Sequence, residues 1–347
     1  MNKKILLGIS ILFGIALFAF VFSLVGTDKV LNALSKLTFS EFFIVLGIFM
    51  VYWFILFLRL DRVLKTRMNI QVRKRKLMLF RAVEYAVSYV TPSARLAGEP
   101  VIAYLMRKDI NVPYSKGIAT VLLIRLMDFT INVSFIFIGL IYLFAKYSDK
   151  LSETMSLLLI AVTAVYVVLI LLFYIKSAKK KGFFTMIFKP FVNILGKGHK
   201  FHEGMIKIEK EIADFFKKNR KEFYISLVLT LIANLILFGM FLLLLYYLGA
   251  EASIMEVLVI FALSTFAYLI PTPAGLGTLE GTMAFAFHTM RLGTSRGVAF
   301  GLVQRALELV IVVIGLIALA YFSLKMSKGK LSKALKVKNS RSARNRN

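Results

Sequence analysis

Thr91-Pro92-Ser93-Ala94-Arg95-Leu96-Ala97-Gly98-Glu99 and Thr272-Pro273-Ala274-Gly275-Leu276-Gly277-Thr278-Leu279-Glu280 are one sentence written twice. Each opens on Thr-Pro and reaches a glutamate seven residues after the proline, at an offset of 181 residues. The match continues outward. Upstream, Glu41-Phe42-Phe43-Ile44 pairs with Glu222-Phe223-Tyr224-Ile225 at the same offset. Downstream, Gly117-Ile118-Ala119, Arg125 and Asp128 pair with Gly297-Val298-Ala299, Arg305 and Glu308 at an offset of 180. A duplicated unit determines an architecture, so the repeat is read before anything else.

The repeat lies in membrane. Apolar residues make up 59% of the chain and the mean hydropathy is +0.78, against about 45–50% apolar in soluble domains. The runs 5–25, 41–58, 155–175, 223–248 and 309–322 each approach the roughly 20 residues that a spanning helix needs. Residues 3–25 have the outline of a signal peptide but lack a small-x-small cleavage site, and read as a retained first helix.

The formal net charge of +27 raises the question of nucleic acid, and the placement of the charges answers it. Basic residues crowd into Lys3–Lys4, Arg59–Arg81, Lys176–Lys221 and the tail from Lys325 to Arg346, which holds nine Lys or Arg and no acid. Cytoplasmic segments of membrane proteins collect positive charge, so these regions and both termini are expected inside, where they attract anionic lipid headgroups. No RNA-binding motif accompanies them, and no nucleic-acid partner is expected. Without cysteine there is no thiol chemistry. No phosphate loop is present either, so transport would be passive, ion-coupled or assisted, and no cofactor is expected.

Topology follows from the charges. Helices at about 5–25 and 40–60 return the chain to the basic 59–81 segment, with a weakly charged loop holding Asp28, Lys29 and Lys36 between them. The stretch at about 77–106 is broken by Thr91-Pro92 and Gly98-Glu99-Pro100 and is followed by Arg107-Lys108. It should enter and leave by the inner face as a re-entrant hairpin. Helices 117–145 and 155–175 follow, then 223–248, a second broken stretch at about 254–290, and 297–323. Two full spans at 254–290 would put the basic tail outside, so the positive-inside rule selects a second hairpin, opening outward.

The expected fold class is an all-α polytopic membrane protein with an inverted-topology repeat, each half holding three membrane-spanning helices and one re-entrant helical hairpin. The expected domains are residues 1–150, residues 151–325 and a basic cytoplasmic tail at 326–347. The connector 176–221 carries Ile208, Ile212, Phe215 and Phe216 on one helical face, which suits either an interfacial helix on the cytoplasmic leaflet or one packed beneath the protein.

Ionisable groups at membrane depth mark function by default. Glu99 and Glu280 stand at the hairpin breaks, and Arg125 and Arg305 in the helices that follow. Asp128 and Glu308 lie three residues beyond those arginines, on the same face. A guanidinium binds phosphate bidentately, which makes Arg125 and Arg305 candidates for a lipid phosphate. The plain alternative is that the arginines neutralise Asp128 and Glu308, or clamp a hairpin to its helix. Gly98, Gly275 and Gly277 permit turns and close approach, while Pro92, Pro271 and Pro273 free carbonyls from helical bonding. Glu84 and Arg95 have no counterpart in the second half. His199 and His202 are a two-ligand pair lacking the further donors of a metal site.

At these motifs the chain resembles the transmembrane region of lysylphosphatidylglycerol synthases and its stand-alone flippase-like relatives. The resemblance rests on Thr91-Pro92-Ser93, Ala97-Gly98-Glu99-Pro100, Arg125 and Asp128, and on Pro271 to Glu280 followed by Arg305. In that family the membrane region moves aminoacylated phospholipid between leaflets. Relatives occur alongside glycosyltransferases, which adds a lipid-linked sugar as a cargo. The resemblance therefore implies a protein that moves a phospholipid or polyprenyl-linked lipid, a transporter more than an enzyme. It also implies that the separate synthase domain is missing here. Ala97 departs from the pattern, standing where many relatives carry a second glycine. Two other classes stay open: an integral-membrane transferase using Glu99 or Asp128 as general base, and a non-catalytic partner of a glycosyltransferase or lipid synthase. A homo-oligomer or a lipid-modifying enzyme partner also stays open.

Overall fold

The computed structural model describes residues 26–68, 72–91, 96–178, 182–183, 185–186, 198–270 and 272–344, with backbone alone at 67–68, 177–178, 198–202 and 327–344. The first expected helix, 5–25, and most of the basic tail's side chains lie outside the described residues, as do Pro92, Arg95, Pro271 and the side chains of His199 and His202.

The described chain is helical throughout. In order it forms α1 (Thr27–Leu34), α2 (Phe39–Met68), α3 (Lys74–Val90), α4 (Gly98–Ile110), α5 (Tyr114–Tyr147), α6 (Glu153–Ala178), α7 (Gly198–Lys218), α8 (Arg220–Tyr247), α9 (Ile254–Ala267), α10 (Thr278–Thr289) and α11 (Thr294–Arg344). Five segments are long and apolar enough to cross a membrane: 39–66, 114–150, 153–176, 220–247 and 294–326. The protein is therefore an all-α polytopic membrane protein. Leu157, Leu158, Val165 and Leu171 of α6, and Tyr224, Val228 and Leu235 of α8, point outward and are mostly exposed. In a bilayer these side chains meet acyl chains, to which an apolar surface costs nothing.

The segment after the first expected helix is not a plain loop. Asp28 and Lys29 belong to α1, which turns Val30 and Ala33 inward, with Val30 packed near Ala284 and Val298. The connector is also resolved by packing. Ile212 and Phe215 of α7 are buried, and Ile208 and Phe216 rest on the same core as Phe57, Phe80 and Leu123. Its apolar face is thus covered by the protein's own helices, and the interfacial alternative loses the face it needed.

Contacts between helices come in matched sets, which suggests internal symmetry. Helix α3 packs on α11 as α9 packs on α5; α4 packs on α5 as α10 packs on α11; α3 meets α4 as α9 meets α10. Helices α2 and α8 pack on each other across the centre.

Small residues allow these contacts. A Cβ at Gly315 of α11 would lie 2.1 Å from the Ala82 carbonyl oxygen of α3, so glycine is what lets the two backbones meet. We expect Gly315→Ala to cost about 1–3 kcal/mol through overpacking. Gly239→Ala on α8, where nothing lies within 4 Å, should be neutral or slightly stabilising. Thermal unfolding of the two purified variants side by side checks the contrast.

Candidate functional site

The second motif folds into a tight cradle. Between α9 and α10, Pro273–Gly275 forms a single 3-10 turn, and Ala274, Gly275 and Gly277 all take left-handed φ angles of 56°, 64° and 73°. Glycine adopts this region freely, whereas alanine does so at a cost of roughly 1–2 kcal/mol. The turn aims two carbonyls at one side chain of α11. Arg305 Nη1 donates to the Ala274 oxygen and Nη2 to the Gly275 oxygen, both at 2.6 Å. Its Nε and Nη2 bind the two oxygens of Glu280, the latter at 2.8 Å. Glu280 is fully buried and also accepts the Gly277 N–H at 3.0 Å, capping α10. Pro273 is buried at the head of the turn.

The first motif uses the same pair differently. Arg125 Nε donates to Glu99 Oε1 at 2.7 Å, and Nη2 to Glu84 Oε1 at 3.2 Å. Arg125 and Glu99 are repeat equivalents of Arg305 and Glu280, and both pairs tie the second hairpin helix to the long helix that follows. Where the second half supplies backbone carbonyls, the first half supplies Glu84. That residue also binds Arg81. Asp128 lies 4.0 Å from Arg125 but is gripped by Arg59, at 2.5 and 3.2 Å, with Thr230 also accepting from Arg59 at 2.7 Å. Three arginines and three carboxylates thus form one network across α2, α3, α4 and α5. Gly98 opens α4 so close to α3 that a Cβ would sit 2.0 Å from the Glu84 backbone carbonyl oxygen, and its N–H donates to Ser88 Oγ at 2.8 Å. Ala97 has an ordinary right-handed conformation, which is why alanine is tolerated there.

These contacts bear on the plain alternative directly. The i,i+3 acids are not the arginines' main partners. Arg125 and Arg305 bind the hairpin glutamates, while Glu308 accepts from the Tyr268 hydroxyl at 3.0 Å.

Sequence reading placed Arg59 and Arg81 at the ends of a basic cytoplasmic segment, and here it is corrected. Arg59 is fully buried and Arg81 nearly so. Helix α2 continues to Met68 and α3 begins at Lys74, so both arginines lie within helices and face the interior. A signal existed in the helical period. Leu56 and Val63 flank Arg59 on its own face, as Leu77 and Glu84 flank Arg81, and all four are buried. Tyr268, Gln304 and Trp53 were also missed, since an isolated polar or aromatic residue in an apolar run carries no pattern.

A cavity of about 190 Å³ lies among the helices. It is lined from α2, α3 and α5 on one side and from α8, α9 and α11 on the other, with Tyr166 of α6 and Leu96 completing the wall. Arg81, Glu84, Arg125, Asp128 and Glu308 reach it; Glu99, Glu280 and Arg305 are not among its lining residues. Among the described residues no group of three His, Asp or Glu side chains is arranged to hold a metal ion.

Two proteins of similar sequence carry the name "UPF0104 membrane protein". One, from Methanothermobacter thermautotrophicus, is 25% identical over 356 residues, covering 94% of this chain and 98% of the relative. The other, from Methanocaldococcus jannaschii, is 22% identical over 341 residues, covering 95% of this chain and 97% of the relative. The model of the lysylphosphatidylglycerol synthase transmembrane region matches residues 5–315. The chain belongs to that family.

Proposed function

We propose that this protein binds a phospholipid or polyprenyl-linked lipid by its headgroup in the cavity between its halves and carries it between leaflets. The observation that carries the reading is a buried, charge-lined cavity at the junction of the two halves of a lipid-facing helical body. Ionisable residues enclosed at membrane depth are costly, and by default they mark a site of transport or binding. The family's association with lipid handling points the same way. Arg125 and Asp128, which reach the cavity, are the headgroup-facing members of the expected set. Arg305, Glu280, Gly275, Gly277 and Pro273 build and hold the second hairpin, as Glu99 and Gly98 hold the first, and Glu308 faces the cavity from α11.

The inverted repeat belongs to the same proposal. Helices α3, α4, α9 and α10 have 17, 13, 14 and 12 residues. At about 1.5 Å per residue, each falls short of the roughly 30 Å hydrocarbon core. Lys76 at the start of α3 lies 2.5 Å from Asp109 at the end of α4, which supports both ends of that hairpin meeting one face. Asp109 also binds Lys325, near the end of the α11 span, at 2.7 Å. At the other end of α5, Lys146 binds Glu256 at the start of α9 at 3.1 Å, and Lys150 reaches the Thr289 oxygen at the end of α10 at 3.4 Å. Helices α5 and α11 thus run in opposite directions, each ending beside the other half's hairpin. This supports two hairpins opening to opposite faces, with the units 1–150 and 151–325 as halves.

The test is leaflet exchange of labelled lipids in vesicles holding the purified protein, with zwitterionic, anionic, aminoacylated and glycosylated headgroups in parallel. Protein-dependent exchange is expected, and Asn132→Trp, which fills the cavity from α5, should abolish it. Equal exchange with and without that plug, or none with any lipid, sinks the proposal and favours a transferase or scaffold.

A further inference from the structure

Most of the cavity's charged groups are already matched to one another. Arg125 binds Glu99 and Glu84, Arg81 binds Glu84 and Asp128 binds Arg59, while Glu308 accepts from the neutral Tyr268 hydroxyl. A phosphate driven among these arginines, or an ammonium at Glu84 or Asp128, must displace an existing buried partner. Separating a buried ion pair leaves an uncompensated charge, which is strongly unfavourable.

What is unmatched around the cavity is mostly neutral. Trp53 Nε1, the Tyr166 hydroxyl and Gln304 Oε1 are buried without a hydrogen-bond partner, and all three residues line it. Trp53 is 9% and Gln304 7% exposed. Arg81 Nε is another such atom, in a guanidinium already bound to Glu84 and lying 5.8 Å over the Trp53 ring. Buried polar atoms without partners are rare in native structures and call for a reason. Here they comprise a donor, an acceptor and a hydroxyl that can be either. Gln304 is fixed by its other end, Nε2 donating to the Tyr268 hydroxyl at 3.2 Å, so its oxygen is presented in a set direction.

The rest of the wall is aromatic. Ten of its residues are Phe, Tyr or Trp. A ligand that presents both donors and acceptors, carries no charge, and has C–H faces for aromatic rings is a polyol. We propose that the cavity is a site for an uncharged polyhydroxylated headgroup, a sugar or glycerol unit, with Trp53 Nε1, Gln304 Oε1 and the Tyr166 hydroxyl as its hydrogen-bonding partners. The volume of about 190 Å³ suits one such unit and leaves acyl chains to the membrane. The assignment rests on reading the cavity as a lipid headgroup site.

Trp53 is the chain's single tryptophan, so the site carries its own reporter. Protein in phosphatidylcholine vesicles is titrated with monoglycosyl diacylglycerol, phosphatidylglycerol, phosphatidylethanolamine, phosphatidic acid and free glucose, following Trp53 emission. Alkyl glycoside detergents are kept out because their headgroups belong to the proposed class. A saturable change with the glycosyl lipid is expected, with phosphatidylethanolamine and phosphatidic acid inert. Tyr166→Phe keeps the ring and should raise the half-saturation concentration about two- to tenfold. A response to free glucose with none to the glycosyl lipid would move the source to a soluble polyol and retain the chemistry. No response to any polyol, an equal response to phosphatidylethanolamine or phosphatidic acid, or unchanged binding by Tyr166→Phe overturns the assignment. The two readings fail separately. Glycosyl-lipid binding without leaflet exchange sinks translocation alone, whereas exchange of phosphatidylethanolamine by a protein whose Trp53 ignores polyols sinks this one alone.

Discussion

Arg305→Ala is expected to yield a protein that does not fold stably, not one that folds and fails to transport. The variant strips Glu280, which is fully buried, of its cation, and leaves the Ala274 and Gly275 carbonyls without their donors. Breaking a buried pair from one side costs about 3–5 kcal/mol, a large share of the roughly 5–15 kcal/mol that holds a typical domain. Arg305→Lys should recover part of this loss, since a lysine restores the charge but cannot span two carbonyls and a carboxylate as the guanidinium does. Arg125→Ala should be milder. Its side chain is about a fifth exposed toward the cavity, and Arg81 remains to hold Glu84. Thermal unfolding and monodispersity of the three variants, measured before any transport assay, separate these outcomes. An Arg305→Ala protein as stable as the parent would remove the clamp role.

Asp109→Asn and Glu256→Gln should open opposite sides of the protein. Asp109 joins α3, α4 and α11 at one end through Lys76 and Lys325. Glu256 joins α9 to α5 at the other through Lys146 and the Tyr147 hydroxyl, and caps its own helix through Ser253. Burial alone would raise both carboxyl pKa values. For Asp109 the hydrogen bonds and charges of Lys325 and Lys76 outweigh burial; for Glu256 those of Tyr147, Ser253 and Lys146 do, and both groups sit below the usual carboxylate range. A depressed folded-state pKa means that each clasp is fully made above the ordinary carboxylate pKa. It is lost only as pH falls through the depressed value, so neutral-pH removal requires the amide variants. Lys325 and Lys146 are about half exposed, so solvent screens each clasp and the expected shift in population is small. The chain has no cysteine, so Thr265→Cys in the cavity wall provides a single reporter. In sealed vesicles, impermeant maleimide should label it faster from the Lys325 side in Asp109→Asn and from the Lys146 side in Glu256→Gln. Acceleration from one and the same side in both variants would refute opposed hairpins.

The amino-acid sequence by itself determined the membrane class, the spans and the breaks. Helices expected at 40–60, 117–145, 155–175, 223–248 and 297–323 match the long segments observed to within a few residues, and the broken stretches at 77–106 and 254–290 overlap the short pairs α3–α4 and α9–α10. Hydropathy, proline and charge placement are properties of a short window, and a bilayer acts on that window directly. Repeat spacing singled out Glu99, Arg125, Glu280 and Arg305 for the same reason: equal offsets are visible without a fold.

Tertiary structure alone decided who pairs with whom. Asp128, one turn from Arg125, turns instead to Arg59, 69 residues away, while Arg125 reaches back 26 residues to Glu99. Neighbouring positions on a helix were open to either arrangement. The choice fell to whichever partner was brought close once α2 packed on α8 and α4 on α5. Burial works in the same way: Arg59 and Lys65 occupy one helix and one basic run, yet the first is fully enclosed and the second half exposed. Whether a charge sits in lipid, water or a protein interior depends on the helix set against it, and that is settled by residues far outside any local window of sequence.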